Sequence, residues 1–341
     1  IDYLILDYLA EITMSIVQKQ KQADPKLGYA RDFPPLIGRI AARMKERGVK
    51  VVANAGGVNP RACAEEVRRL APQLKVAVVL GDDVFDRIAD FQARGIELRN
   101  LDTGEPLQNV TGEITSANAY IGAFPLAEAL ATGADVVIAG RSTDTALALA
   151  PMIHAFGWKP EDYDKMAAGT IAGHIVECGA QATGGNCIAD WKTLPDFANI
   201  GYPIIECHAD GDFVVTKPEG SGGLVSVPAV AEQILYEVGD PQAYALPDVV
   251  CDFSQVRVQP AGERDLQHVG ADAGELRQDE RKGEAARRAH FGGDAGQGQP
   301  ARGCHEAWFP FRQELFLVTA QSLEVVEILA MAVEEGADPV P

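Results

Sequence analysis

Two stretches of the chain carry side chains whose types and spacing suit chemistry. In HIVECGAQATGGN, His174 and Cys178 stand four residues apart, which on a helix puts them on one face. With Glu177 beside them they form a candidate acid/base or thiolate pair. The plainer alternative is a cysteine that only packs and a histidine that bonds a carbonyl. The helix runs into Thr183, Gly184, Gly185 and Asn186, where paired glycines let backbone approach a ligand and N–H groups steady an oxyanion. The second stretch, GADVVIAGRSTDTALALAP, reads as a buried strand over 136–139 that stops at Gly140. Arg141, Ser142, Thr143, Asp144 and Thr145 then precede an apolar helix. An arginine at a strand end, beside a hydroxyl-bearing helix start, suits a carboxylate or phosphate. Ordinary capping by Ser142, Thr143 or Asp144 does not by itself call for Arg141.

Three further candidates are weaker. NAGGVNP places Gly56 and Gly57 after a strand, as phosphate-cradling turns do, but it fits neither common nucleotide-binding glycine pattern. Asn54 and Asn59 either bond a ligand or cap the turn and the next helix. Asp82 and Asp83 either offer oxygens to a divalent cation or serve as a helix cap and dipole partner. Lys217, in KPEGSGG, belongs either to a mobile lid or to a solvated hairpin loop.

These residues are positioned by a repeating pattern. Short β-branched runs (YLILD, VKVVA, LKVAVVL, DVVIA) alternate with helical spacing of about ten to fifteen residues, the mark of βαβ units. The predicted fold is α/β, a mostly parallel sheet with helices on both faces, with barrel-like closure as the lesser alternative. Ligands of such sheets bind beyond the carboxyl ends of the strands, where each run here ends in glycine with Asn, Asp or Arg. A hairpin is predicted for YPIIEC and GDFVVTK around HADGD.

The chain has 341 residues and a formal net charge of −19. That charge argues against nucleic acid as a partner, since phosphate binding needs a basic face. No apolar run approaches the roughly 20 residues of a membrane span. The six cysteines are scattered without a CxxC pair, which fits reduced thiols in a cytoplasm rather than a disulfide framework or structural zinc. The chain opens inside an apolar strand, from which a missing upstream segment is inferred. Residues 1–258 read as one α/β domain. Residues 259–305 have few large apolar side chains and cannot offset an ordering cost of roughly 1–2 kcal/mol per residue. They read as a disordered linker or, preferred here, as an out-of-frame translation of a GC-rich gene. Residues 306–341 read as a tail with one possible helix, over 315–335.

LDYLAEITMSI, ARDFPPLI, VVANAGGVNPRACAE, VAVVLGDD, GRSTDTALALAP, HIVECGAQATGGN and KPEGSGGLVS with AEQILYEVGDP follow one another in order. Together they resemble the acyclic terpene utilisation protein AtuA family, over about residues 1–258. Members of that family begin with a glycine-containing segment ahead of LDYLAE. They continue past the PDV–DFS–RV stretch with an ordered region and often a small ferredoxin-like domain, which the low-apolar residues replace here. The resemblance implies a part in breaking down citronellol- and geraniol-type terpenes through coenzyme A thioesters, or related branched acyl or hydroxy-acid intermediates. It carries no catalytic residue over to this chain.

The expected function is therefore an enzyme acting on a small acid or its coenzyme A thioester, by proton transfer or hydration/dehydration. No cofactor is predicted beyond coenzyme A as part of the substrate. In that reading Arg141 holds the anion and His174 moves the proton. The alternative is a non-catalytic binding or assembly subunit that acts with a partner protein or as a homo-oligomer. A damaged gene product without activity is the third reading.

Overall fold

The computed structural model describes residues 1–100, 103–110, 114–185 and 191–261, with the backbone of four further strands. Strand and helix alternate at the start: β1 (Tyr3–Leu6), α1 (Glu11–Ala23), α2 (Phe33–Arg47), β2 (Lys50–Ala53), α3 (Pro60–Leu70) and β3 (Val76–Val79). Next come α4 (Ile88–Ala93), β4 (Arg99–Asn100), β5 (Ile114–Ala119), α5 (Ala123–Ala131) and β6 (Val136–Ala139). Helices α6 (Ala146–Phe156) and α7 (Tyr163–Glu177) follow. Beyond them lie β7 (Ile204–Cys207), β8 (Phe213–Thr216), α8 (Val227–Leu235), β9 (Tyr244–Ala245), β10 (Val250–Asp252) and β11 (Arg257–Pro260).

Strands β1, β2, β6 and β3 lie side by side in that order, all parallel. Their β-branched runs suit a sheet buried on both faces. Successive side chains point to opposite faces, and the core divides accordingly. Val51, Ala53, Val136 and Ile138 pack with Phe33, Ile37 and Ala41 of α2 and Val67 of α3. Val52, Val137 and Ala139 pack with Leu126 and Leu130 of α5, Leu147 of α6 and Ile171 of α7. The protein is thus α/β, with helices on both faces, and among the described residues the sheet is open rather than closed into a barrel.

The predicted hairpin forms, with β7 and β8 antiparallel. Inside the low-apolar stretch, β12 (Gln267–Gly270) pairs with β8 and β11, and β13 (Arg288–His290) pairs with β10. The tail corrects one expectation. In place of a helix it forms β14 (Phe311–Thr319) and β15 (Leu323–Ala330), an antiparallel pair lying between β5 and β4. Short apolar runs fit either period, an isolated helix is marginal, and a sheet edge supplies the strand with backbone partners. Among the described residues no helix is long and apolar enough to cross a membrane.

Candidate functional site

The loops after the four parallel strands deliver Asp7, Asn54, Asp82 and Arg141 to the carboxyl edge of the sheet. Buried Asn54 ties the first two together. Its Oδ1 accepts the Tyr8 N–H at 2.7 Å and its Nδ2 donates to Asp7 Oδ1 at 2.6 Å. Asp82 ties the other two: its Oδ2 accepts the Arg141 N–H at 2.8 Å and Asn118 Nδ2 at 2.9 Å. A Cβ on Gly140 would collide with that carboxylate, so the close approach requires glycine.

Arg141 is 2% exposed. Its Nη1 donates to the Leu9 carbonyl and, at 2.9 Å, to Asp144 Oδ1. Its Nη2 donates to the Tyr120 hydroxyl at 2.9 Å and to Glu11 Oε1 at 3.3 Å. The guanidinium also lies 4.4 Å from the Tyr120 ring centroid, a cation–π distance.

Helix α7 is pressed onto the start of α6 at Gly173, where a Cβ would stand 2.6 Å from the Thr145 carbonyl oxygen. This contact sets His174, 1% exposed, next to the hydroxyl-bearing turn. The Nδ1 of His174 is 2.8 Å from Glu177 Oε1, and its carbonyl accepts Gln233 Nε2 at 2.8 Å. The ring of Tyr244 lies 5.9 Å from the His174 ring, centroid to centroid. The Nε2 of His174 and the hydroxyls of Ser142, Thr143 and Thr145 are buried without a hydrogen-bond partner among the described residues. Buried polar groups in folded proteins normally find partners, so these four mark a place where a ligand or water completes the bonding.

The electrostatics at this edge are those of crowded carboxyls. Asp144 keeps 33% of its side-chain surface, yet burial, with the Asp7 and Glu177 charges, pushes its pKa up to about 8 against the pull of Arg141. Asp7 is reachable by solvent and its pKa is also raised, by burial and the Glu11 charge, against the Asn54 bond and Arg141. Burial raises Glu177, helped by the Asp7 and Glu237 charges and opposed by His174. For His174, burial works against the charged ring, but the Glu177 hydrogen bond and charge, with the backbone of Gln233 and Ile234, outweigh it and the net shift is upward. Asp82, buried, rises to about 6. The set can hold and release protons near neutral pH.

Of the residues singled out in the sequence, the structure gathers Asn54, Arg141, Ser142, Thr143, Asp144, His174 and Glu177 at this edge. Others have local duties. Burial, with the Glu177 and Glu237 charges, pushes the Cys178 thiol up to about 11, so it is no thiolate. The Gly56 N–H bonds the Ala139 carbonyl at 2.9 Å and the Gly57 N–H bonds the Asn54 carbonyl, which leaves neither for a phosphate. Asn59 Nδ2 fastens the carbonyls of Pro25 and Leu27. The Gly184 and Gly185 N–H groups bond Gln181 and Ala180 carbonyls at 3.1 and 2.7 Å, and Thr183 Oγ1 donates to Gly201. This corrects the oxyanion expectation, because those amides close their own turn. Asn186 lies outside the described residues. Lys217 Nζ donates to the Ser221 carbonyl within its own loop. Asp83 Oδ1 accepts the Phe85 N–H two residues on, a local turn bond, and no group of three or more His, Cys, Asp or Glu is placed to hold a metal among the described residues.

Arg141 also changes role. Its guanidinium bonds Glu11 and Asp144, so it organises carboxylates instead of waiting for a substrate anion. Sequence reasoning missed Asp7, Glu11, Tyr120 and Tyr244. Asp7 had a signal, since it follows β1 as Asn54 follows β2; the other three become neighbours only in the fold.

An open parallel sheet with helices on both faces and polar loops at its carboxyl edge makes this an α/β protein, a class whose ligands commonly bind beyond the strand ends. The chain matches the model of the acyclic terpene utilisation family protein AtuA over residues 1–294, and it belongs to that family. The match continues past Val258, where the resemblance read from the sequence stops. Membership implies a part in acyclic terpene utilisation. No curated protein and no solved structure matches the chain.

Proposed function

We propose that this AtuA-family protein is an enzyme of acyclic terpene or branched acyl-CoA breakdown, acting on a small acid or its coenzyme A thioester by proton transfer or hydration/dehydration. One observation carries the reading: the buried His174 bonds Glu177 through Nδ1 while its Nε2 has no hydrogen-bond partner among the described residues, at the same sheet edge as Asp144. In a dehydration, Nε2 takes the proton from the carbon next to the carbonyl, and Glu177 steadies the imidazolium. Asp144 gives its proton to the departing hydroxyl, which leaves as water, and solvent returns the proton from His174 to Asp144. Ser142, Thr143 and Thr145 hold ligand oxygens, and Arg141 and Asn54 keep the carboxyls in place. The reading carries a cytoplasmic location, supported by the free thiols of Cys63, Cys178, Cys207 and Cys251.

The test is hydrogen–deuterium exchange at the acyl α-carbon, followed by NMR across a panel of branched coenzyme A thioesters and their acids. Wild type is expected to exchange or dehydrate at least one, and His174→Ala to lose that activity with its circular dichroism unchanged. Activity retained in His174→Ala rejects the role.

A second reading, a subunit that binds a partner or a second copy, is favoured by the exposed aromatic side chains of Trp191, Phe197 and Tyr202, the last of which lies against Gly179. Co-purification with a partner, together with inactivity alone on the whole panel, selects that reading.

A further inference from the structure

Helix α7 stops at Glu177, so the carbonyls of its last turn lose the partners a longer helix would give them. The His174 carbonyl is one of these, and its partner comes from another helix: Gln233 Nε2 of α8, at 2.8 Å. Gln233 is 2% exposed. Its Oε1 accepts Gln181 Nε2 at 2.9 Å, and its amide also faces the Cys178 sulfur, a weak acceptor. Both polar atoms of this one buried amide are therefore spent on residues 174–181, the end of α7 and the turn after it. Apolar packing also joins the two helices, with Val230 of α8 in the same core as Ile171 and Ile175 of α7, but that attraction has no direction. The amide supplies the register.

That register bears on the imidazole. Ser226 Oγ caps the start of α8 by accepting the Ala229 N–H, and the far end of the helix is turned to His174, where the backbone of Gln233 and Ile234 meets the ring. The carbonyl end of a helix favours a positive charge. The ring is also flanked by Glu177 of α7 itself and by Tyr244 of β9. Glu177 in turn feels the charges of Asp7 after β1 and Glu237 after α8, and its own charge reaches Asp144 before α6.

We propose that Gln233 is a positioning residue for His174: its amide locks α8 in register against the end of α7 and so holds the imidazole between Glu177 and the carbonyl end of α8, ready to exchange a proton. This rests on the acid–base reading of His174 proposed above and adds to it a residue that touches no reacting atom.

The experiment titrates the His174 imidazole by NMR on the full chain without ligand, in wild type, Gln233→Met and Val230→Ala. Methionine keeps the length of the side chain and loses the amide. Val230, 0% exposed, loosens the same helix when cut to alanine and leaves the amide in place. The His174 midpoint is expected to fall by about half a pH unit or more in Gln233→Met, the size of effect a helix terminus gives. In Val230→Ala it is expected to move by less than half as much. For any compound that wild type turns over, kcat in Gln233→Met is expected to fall about tenfold or more with KM within about threefold, as for a misplaced group that does not bind substrate. If Gln233→Met does not fold, Gln181→Leu removes the brace on Oε1 and is expected to shift the midpoint in the same direction. An unchanged midpoint in the amide variant, or an equal shift in Val230→Ala, overturns the proposal. The two readings fail separately. A shifted midpoint with no turnover of any thioester or acid by wild type retires the catalytic reading and keeps the positioning of the ring. Turnover by wild type with midpoint and rate unchanged in Gln233→Met retires the positioning role and keeps the catalytic reading.

Discussion

His174 Nδ1 and Glu177 Oε1 stand 2.8 Å apart within α7, on side chains 1% and 7% exposed. The pair fixes which ring nitrogen is left for chemistry. It also couples a carboxylate to a base, as in hydrolytic and dehydrating enzymes where the acid orients the imidazole and steadies its charge. Glu177→Gln keeps the shape and removes the charge. The His174 pKa is expected to fall in the variant, since the Glu177 bond and charge raise it against burial ahead of the Gln233 and Ile234 backbone. Turnover is expected to drop by roughly 10²–10⁴. Imidazole NMR titration and single-substrate kinetics check the two effects separately.

Stability is expected to fall as pH rises from the acidic range toward 8. Asp82 and Asp144 are pushed from 3.8 up to about 6 and about 8, so between the unfolded and folded values the native state binds more protons than the unfolded chain. Stability then decreases with pH across that window. Asp7, Glu177 and Asp248 are raised and act in the same direction, as does the raised His174. Differential scanning calorimetry from pH 5 to pH 8 should show a falling Tm, and Asp144→Asn should flatten the upper part of the slope. A Tm that rises over that range contradicts the assignment.

Gly173→Ala opposes two effects that magnitudes can rank. Alanine gains about 1 kcal/mol over glycine inside a helix. Its Cβ, however, would stand 2.6 Å from the Thr145 carbonyl oxygen and 2.8 Å from the Thr145 Cα, backbone atoms that cannot rotate aside. Overpacking of this kind costs about 1–3 kcal/mol, so a net loss of about 1 kcal/mol and a Tm lower by about 2–4 °C are expected. Turnover should drop along with Tm, because α7 carries His174 away from the hydroxyl turn. A more stable variant shows that the two helices separate freely.

Cys178→Ala is expected to leave turnover within about twofold, since a thiol held protonated up to about pH 11 offers neither nucleophile nor base. Iodoacetamide labelling of Cys178 at neutral pH should be slow for the same reason. Rapid labelling with loss of activity restores the thiolate reading.

How far the sequence revealed the site follows from the range of each interaction. The strand ends at Asn54, Asp82 and Arg141 were readable because glycine and polar residues interrupt β-branched runs locally. His174 and Glu177 were readable because one helical turn separates them. The purpose of Arg141 was not, since its partner Glu11 is 130 residues away in the chain. Gly184 and Gly185 misled for the opposite reason: their amides bond inside the same few residues, a use that composition does not distinguish from ligand binding. The tail misled because its apolar spacing fits two periods and the deciding partner, β5, lies far back in the chain.

The link from Arg141 to Leu9 and Glu11 spans 132 and 130 residues, and it orders events during synthesis. Asp7 and Glu11 leave the ribosome well before Arg141, which emerges only after the last strand of the parallel sheet. A fragment ending before Gly140 therefore leaves Glu11 without the guanidinium it bonds and Asp7 without that nearby positive charge. Assembly of this polar cluster is therefore a late, long-distance closure rather than a property of any single βαβ unit.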